Sequence, residues 1–355
     1  MEHGEIVLGV DTHKDIHVAA IVDEVGRLLC TSEFQVSERG GRRMLAWARH
    51  YGALRRAGVE GTGSYGYGLA RQLGAAGVEV REVNRPNRSL RRLRGKSDPL
   101  DAEVAARAVL SGEASAVPKD RDGPVGQLRA LMVARRGAVK ARTQTSNQIK
   151  ALLVTCEEAV RGRLQGRRDS ELARCCGRLR STDGTKTALR SLGRRWVHLD
   201  EEARALQAEI TAIVCSVAPK LILRPGVGVL SAAQLLITAG DNPGRLRSEA
   251  AFAALCGATP VDASSGKTTR KRLSRGGDRS ANAALWMIAH VRMVRDPRTR
   301  DYAARRMQRG NTRKEILRIL KRYIARELFP IVLESLSPPG CAAVVDIGAS
   351  TRRSD

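Results

Sequence analysis

The residues of this chain best suited to chemistry are carboxylates placed where regular structure should begin or end. Lys96-Ser97-Asp98-Pro99-Leu100-Asp101 runs straight into Ala102-Glu103-Val104-Ala105-Ala106-Arg107. Ser97 suits an N-cap and Pro99 a first helical turn, so Asp98 and Asp101 should stand at the mouth of a helix. Residues at i and i+3 share a face, with side-chain roots about 5–6 Å apart. That spacing can ligate one hard cation, or bridge two that lie roughly 3.5–4 Å apart. The same pair would also serve a helix dipole alone, so its meaning rests on which other acids converge on it. Asp11 follows the strand-like run Glu5 to Val10, and Glu60 ends a second run at Ala57-Gly58-Val59. Crowded carboxylates repel, which is tolerable mainly around a divalent cation that prefers oxygen ligands, Mg2+ or Mn2+.

The elements that must position these acids follow from the apolar pattern. Glu5 to Val10, Ile16 to Val22 and Leu28 to Val36 read as three strands joined by short turns, an antiparallel meander with Asp11 at the end of the first. A helix carrying Met44, Leu45 and Trp47 follows Gly40-Gly41. A short strand to Glu60, a helix from Tyr65 to Ala76 and a strand from Val78 to Val83 come next. The basic stretch Arg85 to Lys96 then leads to the Asp98 motif. The order βββαβαβα predicts a single mixed sheet that brings Asp11, Glu60, Asp98 and Asp101 side by side.

Composition says what such a site would work on. The chain has 355 residues, more than one core usually supports. Its formal net charge of +25 and pI near 10.8 call for a polyanion, with nucleic acid first. Aromatic residues are only 3%, so phosphate contacts by Arg and Lys are favoured over base stacking. No run of 18 apolar residues occurs, and acids fall where a signal peptide would be basic, so the expectation is a cytoplasmic protein with no membrane partner. Cysteines at 30, 156, 175, 176, 215, 256 and 341 have neither zinc spacing nor a disulfide framework, and read as reduced and structural.

Residues 1–112 thus form a first domain. Residues 113–220 read as a linker, Ala114 to Pro124, and two long helices, about Val125 to Glu158 and Thr185 to Ala218, separated by a Gly- and Arg-rich interruption. Leu189, Leu192, Trp196, Leu199, Ala203, Leu206, Ile210, Ile213 and Val217 recur every three and four residues, a coiled-coil pattern, whereas the first helix places Arg135 and Arg142 in its seam. An intramolecular hairpin and a dimerising arm both satisfy this pattern. Residues 221–335 form a mainly helical third region. Leu221 to Gly228, with Ala232 and Leu236 behind, fits a helix-hairpin-helix in which Gly226 and Gly228 let backbone N–H groups approach a phosphate, although a plain turn between helices also fits. Ser264-Ser265-Gly266-Lys267 and the cations Arg270, Lys271, Arg272 and Arg275 compose either a phosphate-gripping loop that presents a hydroxyl or a flexible basic loop. The tail, 336–355, is expected to be disordered.

Gly9-Val10-Asp11-Thr12-His13-Lys14, Val59-Glu60-Gly61-Thr62-Gly63-Ser64-Tyr65 and Lys96-Ser97-Asp98-Pro99-Leu100-Asp101-Ala102 resemble the acidic blocks of DEDD transposases of the one-ten insertion-sequence family. Gly257-Ala258-Thr259-Pro260, Ser265-Gly266 and Ser274-Arg275-Gly276-Gly277-Asp278 resemble that family's C-terminal transposase domain. The resemblance implies an N-terminal RuvC-like domain with a ribonuclease-H fold, a coiled-coil arm that assembles protomers, and a metal-dependent recombinase acting on donor and target DNA. It also implies guidance by a structured RNA encoded by the element (a bridge RNA) and a homo-oligomer, dimer or tetramer, with composite active sites. The nucleophile maps to Ser265, with Ser264 beside it. Three other readings stand beside this one: a RuvC-like nuclease without covalent serine chemistry, a non-catalytic DNA-binding protein, and an actin-like sugar kinase suggested by Gly9-Val10-Asp11. The kinase has no use for the Asp98/Asp101 pair, the basic charge or the serine block.

Overall fold

The computed structural model describes residues 4–83, 97–180, 182–262, 271–274 and 276–337. The chain divides into two compact units, residues 1–119 and 120–355. Among the described residues, no helix is long and apolar enough to cross a membrane.

The first unit is built on a five-stranded mixed sheet of order β3-β2-β1-β4-β5. Its strands are β1 (Glu5–Thr12), β2 (Ile16–Asp23), β3 (Leu28–Gln35), β4 (Ala53–Glu60) and β5 (Glu79–Val83). The first three form the expected antiparallel meander, and β4 and β5 add in parallel beside β1. Helices α1 (Glu38–Tyr51), α2 (Tyr67–Ala75) and α3 (Asp98–Leu110) complete the expected order. Strand β4 starts earlier than its apolar run indicated, because Arg55 and Arg56 interrupt the pattern while Arg56 reaches Glu5 at 3.6 Å.

Side chains alternate across a sheet, and each face buries its own helices. Ile6, Leu8, Val10, Ala57 and Val59 pack with Met44 and Leu45 of α1 and Leu69 and Leu73 of α2. Val7, Val22 and Val83 on the opposite face pack with Ala105, Ala106 and Val109 of α3. On that face Gly9 lies directly opposite Gly58 in the β1–β4 register. A Cβ on Gly9 would fall 2.0 Å from the Ala102 carbonyl oxygen, and one on Gly58 would fall 2.5 Å from that of Ala105. The glycine pair therefore lets the α3 backbone rest on the sheet. Asp11 and Glu60, each two residues further along its strand, project on the face where α3 begins.

Among its described residues, the second unit is helical apart from one small hairpin. Its long helices are α4 (Pro124–Thr155) and α7 (Gly184–Val217), with α5 (Glu158–Leu164) and α6 (Asp169–Gly177) between them in sequence. Helices α4 and α7 run antiparallel within one chain: Leu128 and Met132 share a core with Ile210 and Val214, and Ile149 and Leu153 share another with Leu189 and Trp196. The buried line on α7 passes through Leu189, Gly193, Trp196, Asp200, Ala203, Ile210 and Val214. Leu192, Leu199, Leu206 and Ile213 lie half-buried beside it. Polar groups cross the middle of the pair. Arg142 is paired with Asp200, Arg204 reaches the same carboxylate at 2.6 Å, and the Trp196 indole donates to Ser146 Oγ at 2.8 Å. The Gly- and Arg-rich interruption contains α5 and α6, which its composition hid. Gly193 admits α6, since a Cβ there would lie 2.5 Å from the Ala173 carbonyl oxygen. Burial in this cluster pushes the Cys176 thiol up to about 11, as befits an inert structural cysteine.

The remaining elements are α8 (Pro219–Ile222), α9 (Val229–Ala239), α10 (Glu249–Leu255), β6 (Pro260–Asp262), β7 (Lys271–Leu273), α11 (Arg279–Arg295), α12 (Pro297–Gln308) and α13 (Arg313–Leu336). Strands β6 and β7 pair antiparallel. Helix α13 starts with a capping box between Thr312 and Glu315 and buries Ile316, Leu320, Ile324 and Leu328 against its neighbours.

Candidate functional site

Strands β1 and β4 run parallel, so their ends lie side by side, and the Thr12 hydroxyl fastens them by donating to the Glu60 carbonyl oxygen at 2.9 Å. Helix α3 begins over this edge. Ser97 holds the N-cap position with extended backbone, φ −147° and ψ 146°, but its side chain makes no capping bond. Its carbonyl instead accepts from the Asp101 N–H at 3.0 Å. The sequence expected the acids to meet through the helix start, and that start does carry Asp98 and Asp101 to the sheet edge.

His13 stands at the centre of the arrangement. Its Nε2 lies 3.3 Å from Asp11 Oδ2 and 3.2 Å from Asp98 Oδ2. Ligand atoms of Asp11, His13 and Asp98 all fall within 4.8 Å of one another, the one such trio among the described residues. Asp101 is almost wholly buried, and with Asp98 it acts on Asp11 through its charge. Burial raises the Asp11 pKa above the ordinary carboxylate range; His13 opposes this, and the neighbouring Asp101 and Asp98 reinforce it. Glu60 takes its place from the strand register, beside Asp11 at the end of β4, and neither it nor Asp101 belongs to the trio.

These residues fit a divalent cation. A buried carboxylate burdened by desolvation and like charge gains most when a positive ion joins it. Two carboxylates and an imidazole are donors suited to a metal such as Mn2+, with carboxylates alone suiting Mg2+. His13 is no part of the expected acidic set, although its spacing signals it: it follows Asp11 by two residues, the period that keeps side chains on one face of an extended chain. His17 is a second histidine the sequence did not single out. It is buried on β2 opposite Thr12, and its Nδ1 has no hydrogen-bond partner among the described residues. Burial, followed by the nearby His13, lowers its pKa and keeps it neutral.

In the second unit, Gly226 adopts φ 73° in the turn between α8 and α9, and Gly228 caps α9 with open space around it. Arg292 pins this turn. Its Nε donates to the Pro225 carbonyl oxygen at 2.7 Å while the guanidinium forks onto Glu327 at 2.6 and 3.0 Å. Lys271 and Arg272 sit exposed on β7, with Lys271 paired to Asp262. Ser264, Ser265, Lys267, Arg270 and Arg275 lie outside the described residues.

Comparison with known proteins places both units. Residues 8–157 match the family model of the IS110-type DEDD transposases, described as "Transposase". Residues 220–304 match the model described as "Transposase IS116/IS110/IS902 family". The chain is also 34% identical over 158 residues to a protein of Streptomyces coelicolor described as "Insertion element IS110 uncharacterized 43.6 kDa protein". That match covers 42% of this chain and 39% of the relative, so well under half of the relative's length is spanned.

Proposed function

This chain belongs to the DEDD transposases of the IS110 type, and on that premise we propose that it cuts and rejoins DNA strands when an insertion sequence moves. The convergence of Asp11, His13 and Asp98 at the edge of the sheet carries the reading. In this proposal the domain is of the ribonuclease-H kind, and Asp11, Glu60, Asp98 and Asp101 hold a divalent cation, Mg2+ or Mn2+, beside His13. Such a cation supplies positive charge to a scissile phosphodiester. The chain's own part is positional. The Gly9–Gly58 pair seats α3 against the sheet, with Asp98 and Asp101 in its first turn.

Ser265 is the proposed nucleophile. Its Oγ forms a bond to phosphorus, the bond from phosphorus to the leaving strand oxygen breaks, and the serine proton is given up as the leaving oxygen takes one. The resulting phosphodiester between protein and DNA conserves the bond for rejoining, which needs no nucleotide cofactor. The α8–α9 turn at Gly226 and Gly228 and the cations Lys267, Arg270, Lys271, Arg272 and Arg275 are assigned to phosphate contacts. A structured guide RNA and assembly of copies through the α4–α7 region complete the proposal and rest on family likeness.

A nicked suicide substrate incubated with the full chain in Mg2+ tests this. A denaturant-stable adduct should form with wild type and with Ser264→Ala, and be absent with Ser265→Ala. An adduct that survives Ser265→Ala and vanishes in Ser264→Ala moves the nucleophile by one residue. The second reading, a hydrolytic RuvC-like nuclease, is favoured by one observation: the Asp11–His13–Asp98 trio is complete within the first unit. Productive cleavage with no adduct from wild type would select it.

A further inference from the structure

A cleft of about 810 Å³ in the second unit lies between the β6–β7 hairpin and the helices α12 and α13. Cations dominate its walls: Lys271, Arg272, Arg306, Arg318, Lys321 and Arg322. Structural cations usually find carboxylates, and two of these do. Arg322 forks onto Glu249 at 2.6 and 2.8 Å, and Lys271 is paired with Asp262. The one acid among the described residues of the wall, Glu315, is engaged at the start of α13, accepting from the Thr312 N–H at 2.8 Å and its hydroxyl at 2.9 Å.

The others stand differently. Lys321 is 4% exposed, yet among the described residues its ammonium meets no carboxylate and bonds only to the Asn282 amide oxygen at 2.9 Å. Asn282 is itself fixed, donating to the carbonyl oxygens of Cys256 and Gly257 at 3.1 and 2.8 Å. The lysine is therefore held on a framework, with donor capacity to spare. Burial, then the charge of Arg318, lowers its pKa. On the same walls Thr259 Oγ1 and Arg306 Nε are buried with no hydrogen-bond partner among the described residues. Buried donors left unpaired are costly and rare, and here two share one cleft with an uncompensated ammonium.

We propose that this cleft seats a phosphate group of a nucleic-acid backbone, gripped by Lys321, Arg306 and Thr259 and flanked by Arg272 and Arg318. Guanidinium forks and a hydroxyl match the tetrahedral oxygens of phosphate. The exposed Lys271 and Arg272 continue the positive surface outward along the hairpin, as a chain of phosphates requires and a single free anion does not. The inference deepens the proposed function, since it rests on nucleic acid being the substrate, but its grip, made by Lys321, Arg306 and Thr259, consists of residues which that reading left unassigned.

Calorimetric titration of the full chain at fixed ionic strength tests it, with inorganic phosphate, duplex DNA and single-stranded RNA as probes against wild type, Arg306→Gln, Thr259→Val and Lys321→Met. Inorganic phosphate should bind wild type saturably, one per chain, and about tenfold more weakly to Arg306→Gln. It should also compete with whichever nucleic acid binds. That nucleic acid's log–log salt slope should shrink by about one unit in Arg306→Gln. Phosphate binding that all three substitutions weaken, with both nucleic acids unaffected, would overturn the assignment in favour of a small phosphorylated ligand. No saturable phosphate binding by wild type, or binding equal in Arg306→Gln and Thr259→Val, overturns the site itself. Should Lys321→Met fail to fold, the other two variants still decide. The function and the cleft fail separately: absence of metal-dependent strand cleavage by wild type sinks the first, and cleavage with unchanged phosphate binding in the variants sinks only the second.

Discussion

The two units handle surplus charge in opposite ways. In the first, acids are packed together at the edge of a sheet, with Asp11 and Asp101 buried and His13 between Asp11 and Asp98. In the second, cations are packed around a cleft, with Lys321 buried beside Arg318. Both arrangements are unfavourable as they stand, because burial disfavours the charged form of each group. An uncompensated cluster of either sign is explained by what neutralises it. On the proposed readings, a divalent cation would neutralise the first and a backbone phosphate the second.

The comparison breaks first where the acidic cluster depends on backbone packing. Gly9→Val should cost the first unit about 3 kcal/mol, since the new side chain meets α3 backbone that cannot yield as a flexible side chain does. Denaturant melting followed by the circular dichroism of the whole chain would register it as a lowered unfolding midpoint. An unchanged midpoint would mean that α3 does not rest on the glycine pair.

Asp11→Asn should lower strand cleavage about 100-fold or more while the basic cleft keeps its affinity for nucleic acid. Cleavage and binding measured on one preparation separate the two units; loss of both would make the contrast an artefact of misfolding. Arg142→Leu should cost about 1–3 kcal/mol, a buried-pair value discounted because Arg142 is partly exposed and Asp200 keeps Arg204. Chemical denaturation gives that difference, which should shrink when Asp200 is also made Leu.

The smallest effect runs opposite in sign to the loss of activity. Asp11 has a folded pKa raised above 3.8, so the unfolded chain ionises first as pH climbs. Its carboxylate then subtracts stability through the interval between the ordinary and the raised value, and continues to do so at neutral pH. Without divalent metal, Asp11→Asn should therefore raise the melting temperature of the first unit. A fall instead would show that Asp11 stabilises the apo fold.

Much of the acidic region was legible in the sequence, because two-residue alternation, short turns and a proline in the first helical turn are local signals. Asp98 and Asp101 could be placed at a helix start, and Asp11 and Glu60 at strand ends, without knowing what packed where. His13 was legible in principle through its spacing from Asp11. The helices α5 and α6 were not, since their Gly- and Arg-rich composition argues for a loop and only Val160, Leu164, Leu172, Ala173 and Cys176 are buried in them. On α7 the periodicity was correct but the buried line was shifted, with Gly193 and Asp200 facing inward because the Ala173 backbone and Arg142 await them. The cleft was invisible for a third reason. Thr259, Arg306 and Lys321 are far apart in sequence, and only packing unites them.

The most direct test of the account is Mn2+ binding to the full chain followed by electron paramagnetic resonance, which needs neither DNA nor guide RNA. Wild type should bind Mn2+ saturably, with a nitrogen coupling that disappears in His13→Asn, and Asp11→Asn and Asp98→Asn should weaken binding by about tenfold or more. Equal Mn2+ binding by wild type and both Asp variants would contradict the claim that these acids gather around a metal.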